Sequence, residues 1–72
     1  MKKTYEFITI TQDENEYSTY WIFDNKANCQ LGKIFFVEKW GEYAYTGRSE
    51  YLLTKGILRD LLDFMETLIP RL

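Results

Sequence analysis

The apolar residues of this sequence keep two different periods, and the chain changes from one to the other once. From Lys3 to Thr46 they fall in short alternating runs, whereas from Thr54 to Ile69 they recur three and four apart. Alternation places side chains on the two sides of a pleated strand, and a spacing of three and four lines one face of a helix. A set of strands followed by a single helix predicts an α+β fold. The expected architecture is a four-stranded antiparallel meander sheet followed by one C-terminal amphipathic helix, ββββα, in a single domain spanning residues 1–72.

The strands are expected at about 3–11, 17–23, 30–39 and 42–46. In the first, Tyr5, Phe7 and Thr9 alternate with Glu6, Ile8 and Ile10. The acidic segment Gln12 to Glu16 and the turn-rich Asp24-Asn-Lys-Ala-Asn28 separate the next two strands, and Gly47 to Glu50 reads as loop. The helix is expected over about 54–69, with Thr54 as N-cap and Pro70 as stop. Its apolar stripe comprises Ile57, Leu58, Leu61, Leu62, Phe64, Met65, Leu68 and Ile69. Lys55, Arg59, Asp60, Asp63 and Glu66 take the opposite face, where Arg59 and Asp63 are spaced to pair.

A two-residue hairpin loop at Trp40-Gly41 sets Lys39 opposite Glu42, Val37 opposite Ala44 and Phe36 opposite Tyr45. Directly opposed residues share a face. One face then carries Leu31, Lys33, Phe35, Val37, Lys39, Glu42, Ala44 and Thr46, and the other carries Ile34, Phe36, Glu38, Tyr43 and Tyr45. The second strand repeats this, with Trp21 and Phe23 on one side and Tyr20 and Ile22 on the other. A sheet covered on one side should alternate cleanly between apolar and polar, and this one does not. One helix covers one face, so a surplus aromatic face is expected to be left for a partner.

Composition points the same way. A chain of 72 residues buries only about 60% of the surface it exposes when unfolded and commonly needs a disulfide, a metal or a partner. There is one cysteine, Cys29, and no histidine, so an internal disulfide is impossible and a zinc site lacks its usual ligands. Aromatic residues make up 18% of the chain, which favours a partner chain, expected here as a homodimer.

No catalytic constellation is visible. The commonest general base is missing, and Ser18 and Ser49 have no context that would activate them. Cys29 reads as a free, partly buried thiol. The carboxylates of Asp13, Glu14 and Glu16 lack the glycine and ligand spacing of a calcium loop. Asp60, Asp63 and Glu66 look like an outer helix face. Gly32, Gly41, Gly47 and Gly56 are isolated and form no phosphate loop. The expectation is a non-enzyme without metal or cofactor. No apolar run is long enough to span a membrane, and Met-Lys-Lys-Thr leads to Glu6 rather than to an apolar signal core, so a cytosolic location is the expected default.

With 9 basic and 11 acidic residues the net charge is −2, which weakens the case for nucleic acid without removing it. Basic and aromatic residues do interleave at Lys33, Phe35, Lys39, Tyr43 and Arg48. These form a candidate surface for a dimeric single-stranded nucleic-acid-binding protein. The candidate surface for a protein partner is Trp21, Phe23, Phe35, Trp40, Tyr43 and Tyr45, with the acidic loop residues Asp13, Glu14 and Glu16.

The run Leu31-Gly32-Lys33-Ile34-Phe35, then Trp40, Tyr43 and Tyr45, then Leu58, Leu61, Phe64, Met65 and Leu68, resembles a family of short uncharacterised phage and prophage proteins. The resemblance covers residues 29 to 69 and departs from the family pattern at Thr46-Gly47-Arg48, where a proline usually follows. It carries no catalytic motif and no site residues. The order ββββα is also similar to the single-stranded-DNA-binding transcriptional-coactivator fold, which some small anti-CRISPR or anti-defence phage proteins look like. Together these imply a small phage or mobile-element protein that acts by stoichiometric binding to a host macromolecule.

Overall fold

The computed structural model describes residues 1–68. Five strands, β1 (Lys2–Thr4), β2 (Ile8–Gln12), β3 (Tyr20–Asp24), β4 (Cys29–Val37) and β5 (Glu42–Gly47), precede one helix, α1 (Lys55–Met65). The strands form a single antiparallel sheet in chain order. The α+β class and the helix after the sheet agree with the sequence, but the sheet has five strands rather than four.

The extra strand arises because the expected strand 3–11 is folded in two. Thr4 pairs with Thr9 and Lys2 with Thr11, and the reversal at Tyr5 to Phe7 is closed by the Tyr5 amide donating to the Ile8 carbonyl at 2.7 Å. No glycine, proline or asparagine marks this turn. Distant groups hold it instead. The Asn25 side chain donates to the Tyr5 carbonyl at 2.9 Å, and the Asn25 amide donates to the Phe7 carbonyl at 3.0 Å. The Phe7 amide in turn donates to Asp60 Oδ2 at 2.8 Å.

Other boundaries move for local reasons. Residues 17–19 belong to a loop rather than to β3, where the Thr19 amide reaches the Glu16 carbonyl and the Asp13 amide reaches the Thr19 carbonyl, each at 2.8 Å. The β4–β5 hairpin has a four-residue loop, 38–41, in place of the expected two. Val37 therefore faces Glu42, Phe36 faces Tyr43 and Phe35 faces Ala44. The Val37 carbonyl accepts from Trp40 at 3.1 Å and Gly41 at 2.8 Å, and Gly41 takes φ +66°, where its missing Cβ avoids strain. The slip is by two residues, so each side chain keeps its expected face.

Leu31 is the exception. Ile22 pairs with Gly32 but Phe23 pairs with Gln30, so Leu31 is the unpaired residue of a β-bulge. The bulge turns Leu31 away from Lys33 and Phe35 and into the core. There Ile8, Ile10, Ile22, Leu31 and Ile34 of the sheet meet Ile57, Leu61 and Phe64 of α1. Phe64 adds an edge-on contact with Tyr20, the ring centroids 5.1 Å apart.

Thr54 caps α1 as expected, its hydroxyl accepting from the Ile57 amide at 3.2 Å. The helix ends at Met65, and Ile69 and Pro70 lie outside the described residues. Two expectations for its faces are corrected. Asp60 is 8% exposed and turned toward Phe7 rather than toward solvent, while Leu58 and Leu62 are 51% and 58% exposed. Among the described residues no ion pair joins Arg59 to Asp63; the pair formed is Arg48–Glu50 at 2.9 Å. No helix among them is long and apolar enough to cross a membrane.

Two substitutions test this account. Asp60→Ala leaves the Phe7 amide without its charged acceptor and should cost about 2 kcal/mol in urea unfolding, with Asp60→Asn costing less. Gly32→Ala would drive a Cβ against the Thr46 carbonyl and to 2.6 Å from the Gly47 Cα, so it should lower the melting temperature more than Gly41→Ala does.

Candidate functional site

The sheet alternates sides residue by residue, and α1 occupies the side that carries Ile8, Ile10, Ile22 and Ile34. The opposite side carries Thr9 and Thr11 from β2, Trp21 and Phe23 from β3, Lys33, Phe35 and Val37 from β4, and Ala44 from β5. None of these residues is buried. Among the described residues nothing covers this face.

Its centre is set by strand register. Trp21 pairs with Lys33, and Phe35 is two residues further along β4 on the same side. The Lys33 ammonium lies 5.7 Å from the Trp21 ring centroid and 5.4 Å from that of Phe35, a cation held over two aromatic faces. Phe23, with Thr9 and Lys2, lines a depression of about 280 Å³ toward β1. On the other flank Lys33 and Phe35 share a depression of about 230 Å³ with Glu16 and Glu38.

The loop between β2 and β3 is fastened to this face by one carboxylate. Asp13 accepts from the Asn15 amide at 3.0 Å, the Glu16 amide at 2.8 Å and Trp21 Nε1 at 2.9 Å. The Trp21 bond, the two amides and the nearby Lys33 charge hold the Asp13 carboxyl below the usual aspartate range. The indole is thereby fixed in orientation while its ring stays partly open to solvent.

The residues singled out from sequence divide between several places. Trp21, Phe23, Phe35 and Asp13 come together on or beside the open face. Glu14 and Glu16 are exposed in the same loop. Tyr43 and Tyr45 do not join them, because they project to the helix side and pack against the core. Tyr43 meets Phe36 edge-on at 5.1 Å, and the Tyr45 hydroxyl is buried without a hydrogen-bond partner, its pKa raised by burial. Trp40 stands 65% exposed at the hairpin tip, with the Lys39 ammonium 5.9 Å from its ring centroid.

The set Lys33, Phe35, Lys39, Tyr43 and Arg48 is likewise not one surface. Lys33 and Phe35 share the open face, Lys39 is at the tip, and Tyr43 is on the other side. Arg48 pairs with Glu50 and lies 5.1 Å from the Tyr51 ring centroid. Cys29 is free and half-buried, and it is the leading influence raising the pKa of the Tyr51 phenol. No three acidic or cysteine side chains among the described residues are grouped so as to hold a metal ion.

Sequence reasoning missed the link from Asp13 to Trp21, and it set Lys33 apart from the protein-binding set. The available signal was the β3–β4 register, which would have placed Lys33 beside Trp21. Compared with family models, curated proteins and solved structures, the chain matches none.

Asp13 gives a pH test with a definite sign. A carboxyl whose pKa falls on folding stabilises the folded loop above its unfolded pKa, and that contribution is lost as pH falls through the lower folded value. The Trp21 indole N–H resonance should therefore shift in a titration whose midpoint lies below the usual aspartate range. Asp13→Asn should abolish that titration.

Proposed function

We propose that this protein is a non-enzymatic binding module whose open sheet face receives a partner protein in a stoichiometric complex. The observation that carries the reading is the Trp21–Lys33–Phe35 cluster, on a face that no described part of the chain covers. Large aromatic groups left open in a contiguous patch lose unfavourable water contact when a partner seats on them. Trp21 is already oriented by Asp13, so little side-chain freedom remains to be lost on binding.

The rim favours protein over nucleic acid. Asp13, Glu16, Glu38 and Glu42 border the aromatic centre, against Lys2, Lys33 and, in the same loop as Glu38, Lys39. A phosphate backbone would meet net repulsion there, whereas a protein surface with basic groups around an apolar knob would find complementary charge. The resemblance of residues 29 to 69 to short phage proteins supports a more specific form of the proposal. In that form the module belongs to a phage or mobile element, works in the host cytosol, and blocks a host protein such as a defence nuclease.

The nucleic-acid alternative rests on Lys33 between two aromatic rings, an arrangement that also suits a stacked base. It predicts binding to single-stranded oligonucleotides that weakens steeply with salt.

The test pairs the wild-type protein with a Trp21→Ala/Phe23→Ala variant, which removes half-buried side chains that lie outside the core. Affinity capture from host lysate, then reconstitution with the captured protein, should give a one-to-one complex by light scattering that the variant fails to form. Equal binding by the variant would rule out the open face. Oligonucleotide binding with a steep salt slope would favour the alternative.

A further inference from the structure

The two edges of the sheet are built differently. β1 is three residues long, reads Lys-Lys-Thr and is exposed throughout, which are the features that discourage another strand from pairing there. β5 is six residues long, reads Glu-Tyr-Ala-Tyr-Thr-Gly, and holds no lysine, arginine, proline or bulge. Among the described residues it has β4 on one side and no strand on the other. Its backbone phase is fixed from beyond its end, where the Arg48 amide donates to the Leu31 carbonyl at 3.0 Å. Amides of an antiparallel strand alternate in direction, so those of Thr46 and Ala44 also turn toward β4 and those of Tyr43 and Tyr45 turn to the free edge.

Beside the start of this edge, α1 presents apolar surface that no described residue covers. Leu62 and Met65 border a groove of about 200 Å³ together with Tyr43 and Leu68, and Leu62 is more than half exposed. Leu58, one turn earlier on the same stripe, is exposed as well. The C-terminal half of the helix thus borders the first residues of β5, Glu42 and Tyr43. A sixth strand laid along β5 would bring a helix-side residue opposite Tyr43 beside Leu62.

We propose that β5 pairs antiparallel with β5 of a second copy of this chain, making a continuous ten-stranded sheet across a two-fold axis. The sequence of β5 is self-complementary for that role. In a register centred on Ala44, Tyr43 faces the second copy's Tyr45 on the helix side. On the open side Glu42 faces Thr46 and Ala44 faces itself. No like charges oppose, and the second copy's Tyr45, facing Tyr43, falls beside Leu62. The axis stands perpendicular to the sheet, so the two Trp21–Lys33–Phe35 clusters end on the same side of the dimer. The proposal is independent of what those clusters bind.

Light scattering of the full chain over a concentration series, from low micromolar to millimolar, tests it. The wild type should reach twice 8.7 kDa. Ala44→Lys sets two like charges against each other across the axis, and it should be monomeric throughout with an unchanged circular dichroism spectrum. Leu62→Glu changes an exposed side chain and should weaken the dimer at least about tenfold; it decides alone should Ala44→Lys fail to fold. A wild type monomeric at every concentration overturns the proposal, as does a folded variant of either kind that dimerises like the wild type. Trp21→Ala/Phe23→Ala should remain dimeric. Its becoming monomeric would show the open face consumed by self-association, which would overturn both this pairing and the partner-protein reading.

Discussion

The seating of α1 on one side of the sheet is the contact on which the rest of the molecule depends. Ile57, Leu61 and Phe64 meet five aliphatic side chains of the sheet, and together these eight residues form the buried core. Fully burying a side chain of this size contributes about 1.5–3 kcal/mol. With no disulfide to restrict the unfolded chain, this layer carries most of the stability. It also divides the aromatic residues. Tyr20, Tyr43 and Tyr45 are drawn into the packed side, and Trp21, Phe23 and Phe35 are left on the other.

Polar groups then set the position of that layer. Asp60 is the one buried charged side chain among the described residues, and its carboxylate takes the Phe7 amide from a turn 53 positions earlier in the chain. Asn25 joins the same turn from the β3–β4 side. Apolar contacts alone would let the helix slide along the sheet. A buried carboxylate with one well-placed donor restricts that freedom, because sliding would leave it desolvated and unpaired.

The parts legible in sequence were those written in local periodicity. The Ile57-to-Leu68 spacing, the Thr54 cap, the shared side of Trp21 and Phe23, and the opposite sides of Phe35 and of Tyr43 and Tyr45 could all be read from pattern. The β1–β2 reversal could not, because Tyr5-Glu6-Phe7 has no turn chemistry of its own and is held by Asn25 and Asp60. The bulge at Leu31 was hidden for a similar reason: Leu31 and Gly32 look like consecutive strand residues until Ile22 and Phe23 are paired across from them. The candidate site was half visible. Its aromatics were named, but grouping Tyr43 and Tyr45 with Trp21 ignored that they lie on the side the helix takes. Charge pattern misled once, since Asp60 matches its solvated neighbours in type and differs only in what it faces.

The helix comes after all five strands, and this order has a consequence for how the chain is made. During synthesis the meander can pair as it emerges, since each strand joins the one before it. Ile8, Ile10, Ile22 and Ile34 nevertheless have no cover until residues 55–65 have been translated. For that interval the sheet has two sticky sides and an unguarded β5 edge, the condition in which nascent chains associate wrongly. The short connection from β5 to α1 is therefore protective, because the interval lasts only as long as it takes to add one short loop and a helix of three turns.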